Sequence, residues 1–241
     1  MVKQRVDSLL VARGLAESRT RAQALIMAGR VEVTGKEAIK PGTMVAEDAA
    51  ISMLETEPFV GRGGIKLNYA LEQFQIDVSG KVAADIGAST GGFTDCLLQH
   101  GASRVYAVDV GYGQLDYRLR QDLRVAVMER VNARYPLFLP EKVDLVTMDL
   151  SFISVEKVIP AVSQLLKDKG HLIILIKPQF EVKRGEVGRG GVIKDHSLHA
   201  KILGRFVNWT VNHGFRLKGL TASPILGAEG NREFFFLLRL T

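Results

Sequence analysis

The spacing of apolar residues changes along this chain. Between Arg5 and Arg13 they fall at Val6, Leu9 and Leu10, one stripe of a helix, and Gly14 supplies a stop. Ser18 is placed to cap a second helix whose face is Ala22, Leu25 and Ile26, ended by Gly29. The period then drops to two. Val31 and Val33 alternate with Glu32 and Thr34 before Gly35-Lys36, the pattern of a strand entering a hairpin. After residue 80, apolar runs at 82–86, 104–109, 124–128, 143–148 and 171–177 predict strands. Helices fit between them, such as 154–166, capped by Ser154 with Glu156 in its first turn. This alternation predicts an α/β fold: a mostly parallel, Rossmann-like sheet with helices on both faces. Segments 215–220 and 233–240 flank a loop containing Gly and Pro and predict an antiparallel hairpin at one sheet edge.

The two patterns meet at Glu55-Thr56-Glu57, just before Pro58. They predict a small α+β domain over 1–54, a linker over 55–60 and the large domain over 61–241. No window approaches the ~18 uninterrupted apolar residues of a membrane span. The opening MVKQRVDSLL has no signal core. A cytoplasmic protein without a membrane partner is expected, and nothing calls for an obligate protein partner. The single cysteine, Cys96, excludes an internal disulfide and reads as a core residue beside Leu97 and Leu98. The five histidines lack metal-ligand spacing, so no metal is expected. The net charge of +6 permits a polyanionic partner. Arg19 and Arg21 sharpen that: they stand in the first turn of the second helix, where the helix dipole disfavours cations, as they would if they faced an anion.

The chemistry gathers at predicted strand ends, where open α/β sheets bind ligands: Asp85, Asp109, Asp149 and Lys177. After Asp85 comes a glycine turn, IGASTGGFT. Gly87 and Gly92 have the spacing of a P-loop and Thr94 its hydroxyl, but Phe93 stands in place of the phosphate-binding lysine. Ser89 replaces the second glycine of a dinucleotide fingerprint. Asp109, ending the second strand, is placed to accept hydrogen bonds from ribose hydroxyls. A nucleoside without phosphate fits these features, and S-adenosylmethionine is the common one. The turn would hold its methionine end.

Two resemblances extend this reading. Arg5-Val6-Asp7, Ser18-Arg19, Ala22, Leu25-Ile26, Gly29, Val31 and Val33 together resemble the S4 RNA-binding domain. That implies phosphate contacts from Arg19, Arg21, Arg30 and Lys36, with Arg5 and Lys40 beside them. The longer strings DIGASTGGFT, DVGYGQL, ERVNAR, DLSFIS, KPQFE and GRGGIKL resemble the TlyA family, also called hemolysin A. These are S4-bearing relatives of the FtsJ-type ribose methyltransferases. The resemblance implies 2′-O-methylation of a cytidine in ribosomal RNA by a tetrad of Lys66, Asp149, Lys177 and Glu233. It also implies a cofactor pocket drawn from Asp85, Gly87, Ala88, Ser89, Gly91, Gly92, Phe93, Asp109, Glu129, Asn132 and Asp149. Val131 departs from the pattern, where many relatives have threonine. The chain stops after its final strand, without the helical tail of longer relatives, which points to a large-subunit substrate.

A ribose hydroxyl becomes nucleophilic only as its proton leaves, and a lysine takes that proton only when neutral. Burial and a neighbouring cation favour the neutral amine. Lys177 is therefore expected as the acceptor, with Lys66 opposing its charged form, and Asp149 and Glu233 orienting the two amines. The alternative is two purely structural ion pairs. At the level of the whole chain the alternatives are a membrane-active hemolysin and a catalytically silent RNA-binding protein. The glycine-rich stretch 181–195, EVKRGEVGRGGVIKD, reads as a loop bordering the site, either ordering on RNA or an ordinary surface loop.

Overall fold

The computed structural model describes residues 3–27, 29–34, 36–37, 40–54, 58–182, 191–227 and 230–240. They group into two compact units, Met1–Glu57 and Pro58–Thr241. Glu55-Thr56-Glu57, Gly35 and residues 183–190, three places where sequence expectations fell, lie outside the described residues.

The first unit runs β1 (Lys3–Arg5), α1 (Val6–Ala12), α2 (Arg19–Met27), β2 (Val31–Val33), β3 (Lys36–Glu37), β4 (Met44–Ala46) and β5 (Ile51–Met53). Strands β3, β2 and β5 form one antiparallel sheet, and β1 pairs with β4. The helical stripes meet as expected: Val6, Leu10, Ala22 and Ile26 pack on Val31 in one core. Ser18 Oγ accepts from Arg21 N at 3.1 Å, so the predicted cap forms. At its centre lies a buried carboxylate. Asp7 accepts from Arg5 Nε (3.0 Å) and Nη2 (2.7 Å), from Arg19 Nε (3.1 Å) and from Gln23 Nε2 (2.9 Å). Arg5 first, then Gln23 and Arg19, hold that carboxyl well below the ordinary range against the cost of burial. Asp7 thus gives Arg19 an internal reason for its place in the first helical turn.

The second unit follows with α3 (Arg62–Phe74), β6 (Val82–Ile86), α4 (Gly92–Gln99), β7 (Arg104–Val108), α5 (Tyr117–Gln121) and β8 (Val125–Met128). Next come β9 (Val143–Met148), a 3-10 turn (Val155–Lys157), α6 (Ile159–Ser163), β10 (Leu166–Ile176) and α7 (Pro178–Glu181). The last elements are α8 (His196–Asn212), β11 (Phe215–Ala222) and β12 (Phe234–Leu240). One seven-stranded sheet has the order β11-β12-β10-β9-β6-β7-β8. Five strands are parallel, and β11 and β12 form the antiparallel hairpin at one edge, with β12 between β10 and β11.

The continuous apolar run of β10 is explained by burial on both faces. Leu172, Ile174 and Ile176 join Phe236 and Leu238 in one core, while Ile173 and Leu175 join Phe235 and Leu237 in the other. Cys96 is buried in the second core, and burial pushes its thiol up. The expected helix over 154–166 is not there. Pro160 lacks the N–H a continuous helix requires, and the segment breaks into the 3-10 turn and the short α6. Ser154 makes no cap bond because its hydroxyl donates to Glu181 instead, and Leu166 already belongs to β10. Among the described residues no helix is long and apolar enough to cross a membrane.

Candidate active site

The chain leaves β6 outward to β7 and β8, then returns to place β9 on the other side of β6. That reversal opens a crevice beyond the carboxyl ends of β6 and β9, the place where doubly wound sheets bind ligands. The glycine turn sits in it. Gly87 has φ 86°, and a Cβ there would lie 2.4 Å from the carbonyl oxygen of Asp149. Only glycine lets the two strand ends approach so closely. Gly92 does the same between helices, since its Cβ would meet Gly64 N at 2.9 Å. Three non-glycine residues at neighbouring strand ends are left-handed: Ser89 (φ 49°), Arg130 (φ 60°) and Phe152 (φ 65°). Backbone held in that region concentrates at binding sites.

A cavity of about 480 Å³ fills the crevice. Its walls are apolar at Ile86, Val108, Val131, Ala133, Ile153 and Val158, and polar at Ser89, Asp109, Gln114, Asn132, Arg134 and Asp149. Val131, the departure from the family pattern, contributes one of the apolar walls. Asp109 accepts from Ser89 N (2.8 Å) and Gly111 N (2.6 Å), tying the glycine turn to the turn after β7. Each carboxylate oxygen has a further lone pair, so ribose hydroxyls can still be accepted. The turn itself contains no lysine or arginine. Apolar walls, an acceptor for ribose and a turn whose own residues carry no cation fit an adenosyl group with a cationic sulfur better than a polyphosphate.

A smaller cleft of about 190 Å³ adjoins the cavity and shares Gly87, Ser89, Asp149 and Ser151 with it. Ala88, Gly92 and Phe93 line this cleft, and so does Lys177. Lys177 Nζ lies 2.6 Å from Asp149 Oδ1 and donates to Ser151 Oγ at 3.0 Å. The other half of the expected tetrad is also paired: Lys66 Nζ donates to Glu233 Oε2 at 2.6 Å. That pair is buried, with side chains 9% and 3% exposed. Lys66 stands one helical turn beyond Gly63, which lines the cleft. Asn231 steadies the segment before Glu233: its side chain accepts from Ile193 N (2.9 Å) and donates to Gly191 O (2.9 Å).

Three expected pocket residues stand elsewhere. Asp85 does not face either space. It is fully buried and accepts from Thr94 Oγ1 (2.7 Å) and Thr147 Oγ1 (3.1 Å), so it fastens α4 and β9 beneath the turn. Burial without a cation pushes its carboxyl up to about 7. Glu129 also stands off the cavity. It accepts from Gly113 N and pairs with Arg120, bracing the turn after β7. Gly91 lies behind the turn with Leu115 and Leu119 against it. Ser151, Gln114 and Arg134 line the spaces and were not singled out from sequence; Ser151 lay inside the quoted DLSFIS motif, where its closeness to Lys177 gave no signal.

In the first unit, Arg5 and Arg19 are engaged with Asp7, and Arg30 donates to Leu54 O (Nε, 2.9 Å). The side chains of Arg21 and Lys40 are exposed and have no partner among the described residues. The side chain of Lys36 lies outside them. No group of three or more His, Cys, Asp or Glu among the described residues is placed to hold a metal ion.

A doubly wound sheet with this crevice and donor set defines a methyltransferase that uses S-adenosylmethionine. The FtsJ-like methyltransferase family matches residues 59–240, and the S4 domain matches residues 4–51. The chain is 46% identical over 241 residues to the 16S/23S rRNA (cytidine-2′-O)-methyltransferase TlyA of Mycobacterium tuberculosis, covering 98% of this chain and 90% of that one. It is 42% identical over 233 residues to hemolysin A of Brachyspira hyodysenteriae, covering 95% and 97%. The solved structure of a hemolysin-named protein from Streptococcus thermophilus matches all of this chain and 90% of that one, at TM-score 0.76 and 42% identity. The chain belongs to the TlyA family of S4-bearing, FtsJ-like methyltransferases.

Proposed function

We propose that this protein methylates the 2′-hydroxyl of a cytidine in ribosomal RNA, with Lys177 taking the hydroxyl proton. The substrate follows the name of the Mycobacterium tuberculosis relative, and the matched S4 domain supports an RNA partner. One observation supports the chemistry above the others: Lys177 lines a cleft that shares four residues with the cofactor-sized cavity.

Asp109, Asn132 and the apolar walls would hold the nucleoside of S-adenosylmethionine, with Gly87 and Ser89 toward its methionine end. Bound there, the cofactor supplies a methyl group on a positively charged sulfur, open to attack by oxygen. The protein's part is to place an oxygen and remove its proton. Lys177 Nζ, held between Asp149 and Ser151, would take that proton as the neutral amine while the ribose oxygen bonds to the methyl carbon and the carbon–sulfur bond breaks, leaving a neutral thioether. Asp149 favours the ammonium and so limits that neutral form, whereas the positive sulfur of a bound cofactor would favour it; after the transfer Asp149 again faces an ammonium. The Lys66–Glu233 pair stands behind the cleft and holds the start of α3 against the segment leading into β12. Arg21 and Lys40 in the first unit are free for phosphates.

Lys177→Ala tests this reading. Methyl transfer to ribosomal RNA should fall by about a thousandfold, while the calorimetric Kd for S-adenosylmethionine stays within about threefold. Turnover retained in that variant would exclude Lys177 as the acceptor, and a methyl group mapped to a base atom instead of a 2′-oxygen would exclude the reaction.

A further inference from the structure

Two segments carry the proton-accepting machinery, and they come from different strands. Asp149 and Ser151 follow β9, whereas Lys177 follows β10 directly and stands at the N-cap of the single turn of α7. Neither segment is regular. The loop after β9 contains left-handed Phe152, and α7 is only four residues long. Something must hold them in register to within a few tenths of an ångström, because positioning at this scale governs proton transfer.

Glu181 is the group placed to do so. It ends α7, is 5% exposed, and does not line the cofactor cavity or the cleft. Its Oε2 accepts from Ser154 Oγ at 2.6 Å and its Oε1 from Val155 N at 2.9 Å. Ser154 closes the loop that carries Asp149 and Ser151, and Val155 opens the 3-10 turn directly after it. Above this, Phe180 packs on Phe152 with ring centroids 5.0 Å apart, although Phe152 is itself 90% exposed. The backbone carbonyl of Glu181 accepts from Arg205 of α8, fixing the end of α7 from behind. We infer that Glu181 is a positioning residue for methyl transfer, a staple that locks the Asp149–Ser151 loop onto the turn that bears Lys177. The inference rests on the assignment of Lys177 as proton acceptor.

The geometry also explains why a carboxylate stands there. The site needs an acceptor for a backbone N–H and, about one carboxyl group apart, a partner for a hydroxyl, and a carboxylate supplies both. Glutamine can fill the same site. Its carbonyl accepts from Val155 N, and its amide donates to Ser154 once that hydroxyl rotates. Aspartate is one methylene too short to make both bonds, and alanine makes neither.

The test uses the full-length protein, a ribosomal RNA substrate and single-turnover methyl transfer, with the Kd for S-adenosylmethionine and the KM for RNA measured beside it. Glu181→Ala should lower the single-turnover rate by about thirtyfold or more, with Kd and KM within about threefold of the parent. Glu181→Gln should restore the rate to within about threefold, and Glu181→Asp should not. If the alanine variant fails to fold, the glutamine–aspartate pair decides alone. Equal rates in those two, or an alanine variant that folds and turns over normally, would overturn the inference. So would parallel losses of rate and cofactor binding, which indicate a merely structural group. Lys177→Ala assayed in parallel separates the two ideas. If it is active, the acceptor assignment fails; if it is dead while Glu181→Ala is normal, only the staple fails.

Discussion

The two lysine–carboxylate pairs of the expected tetrad have the same 2.6 Å separation and opposite surroundings. Lys66 and Glu233 are buried, and each is the other's only side-chain partner among the described residues. Lys177 and Asp149 are partly open, at 13% and 20%; Lys177 donates to Ser151, and both line the cleft that adjoins the cofactor cavity. Distance alone therefore does not separate a holding pair from a working pair. What separates them is access: a proton can reach Lys177 from a ligand in the cleft, whereas Lys66 is spent on Glu233. Burying two charges costs desolvation that their attraction barely repays, so a buried pair contributes little net stability yet is costly to break.

The largest effect expected from this contrast is on folding. Lys66→Met leaves Glu233 buried and unpaired and should destabilise the protein by about 3–5 kcal/mol in urea unfolding. Adding Glu233→Leu should restore stability to within about 1 kcal/mol of the parent, without restoring methyl transfer. A double variant as unstable as the single one would show that the pair itself stabilises the fold.

Asp85 supplies a third case, a buried carboxylate given hydroxyls and no cation. In the folded protein it titrates near 7, against ~3.9 in an unfolded chain. The unfolded chain therefore releases that proton first as pH rises. The favourable contribution is complete below about pH 4 and is lost on rising through 7, by up to roughly 4 kcal/mol. Urea unfolding at pH 5 and pH 8 should show this loss, and Asp85→Asn should flatten it. A parent with no such slope would mean that Asp85 is ionised and paired in a way the hydroxyls do not provide.

The smallest effect belongs to a cation with no carboxylate beside it. Arg21→Ala should weaken binding to ribosomal RNA by about three- to tenfold and reduce the salt slope by about one, leaving the melting temperature unchanged. An unchanged affinity would place the RNA on another face of the first unit.

Much of this site is legible in the sequence because strand ends are. Alternation and apolar runs located β6, β7, β9 and β10, and so placed Asp109, Asp149 and Lys177 at one sheet edge. What the sequence hides is which groups find each other after folding. Lys66 and Glu233 pair across 167 positions. Ser154 reads as a helix cap until Glu181 claims its hydroxyl, and Pro160 then decides the break. Asp85 is one residue from Ile86 and two from Gly87, both cavity-lining, yet strand alternation turns its side chain away from the cavity toward Thr94 and Thr147. In the first unit, Arg19 looks misplaced by dipole reasoning because Asp7, twelve positions earlier, is its counterion.

Strand β12 lies between β10 and β11 and brings Glu233 to Lys66 at its leading end. Closing that edge joins β12 to β10 at a sequence separation comparable to that of β6 from β9. A chain caught with β6 to β9 formed and β12 unplaced has a seat for the methyl donor and an ammonium at Lys66 without a counterion. Docking of the edge hairpin is therefore the event that gives Lys66 its counterion.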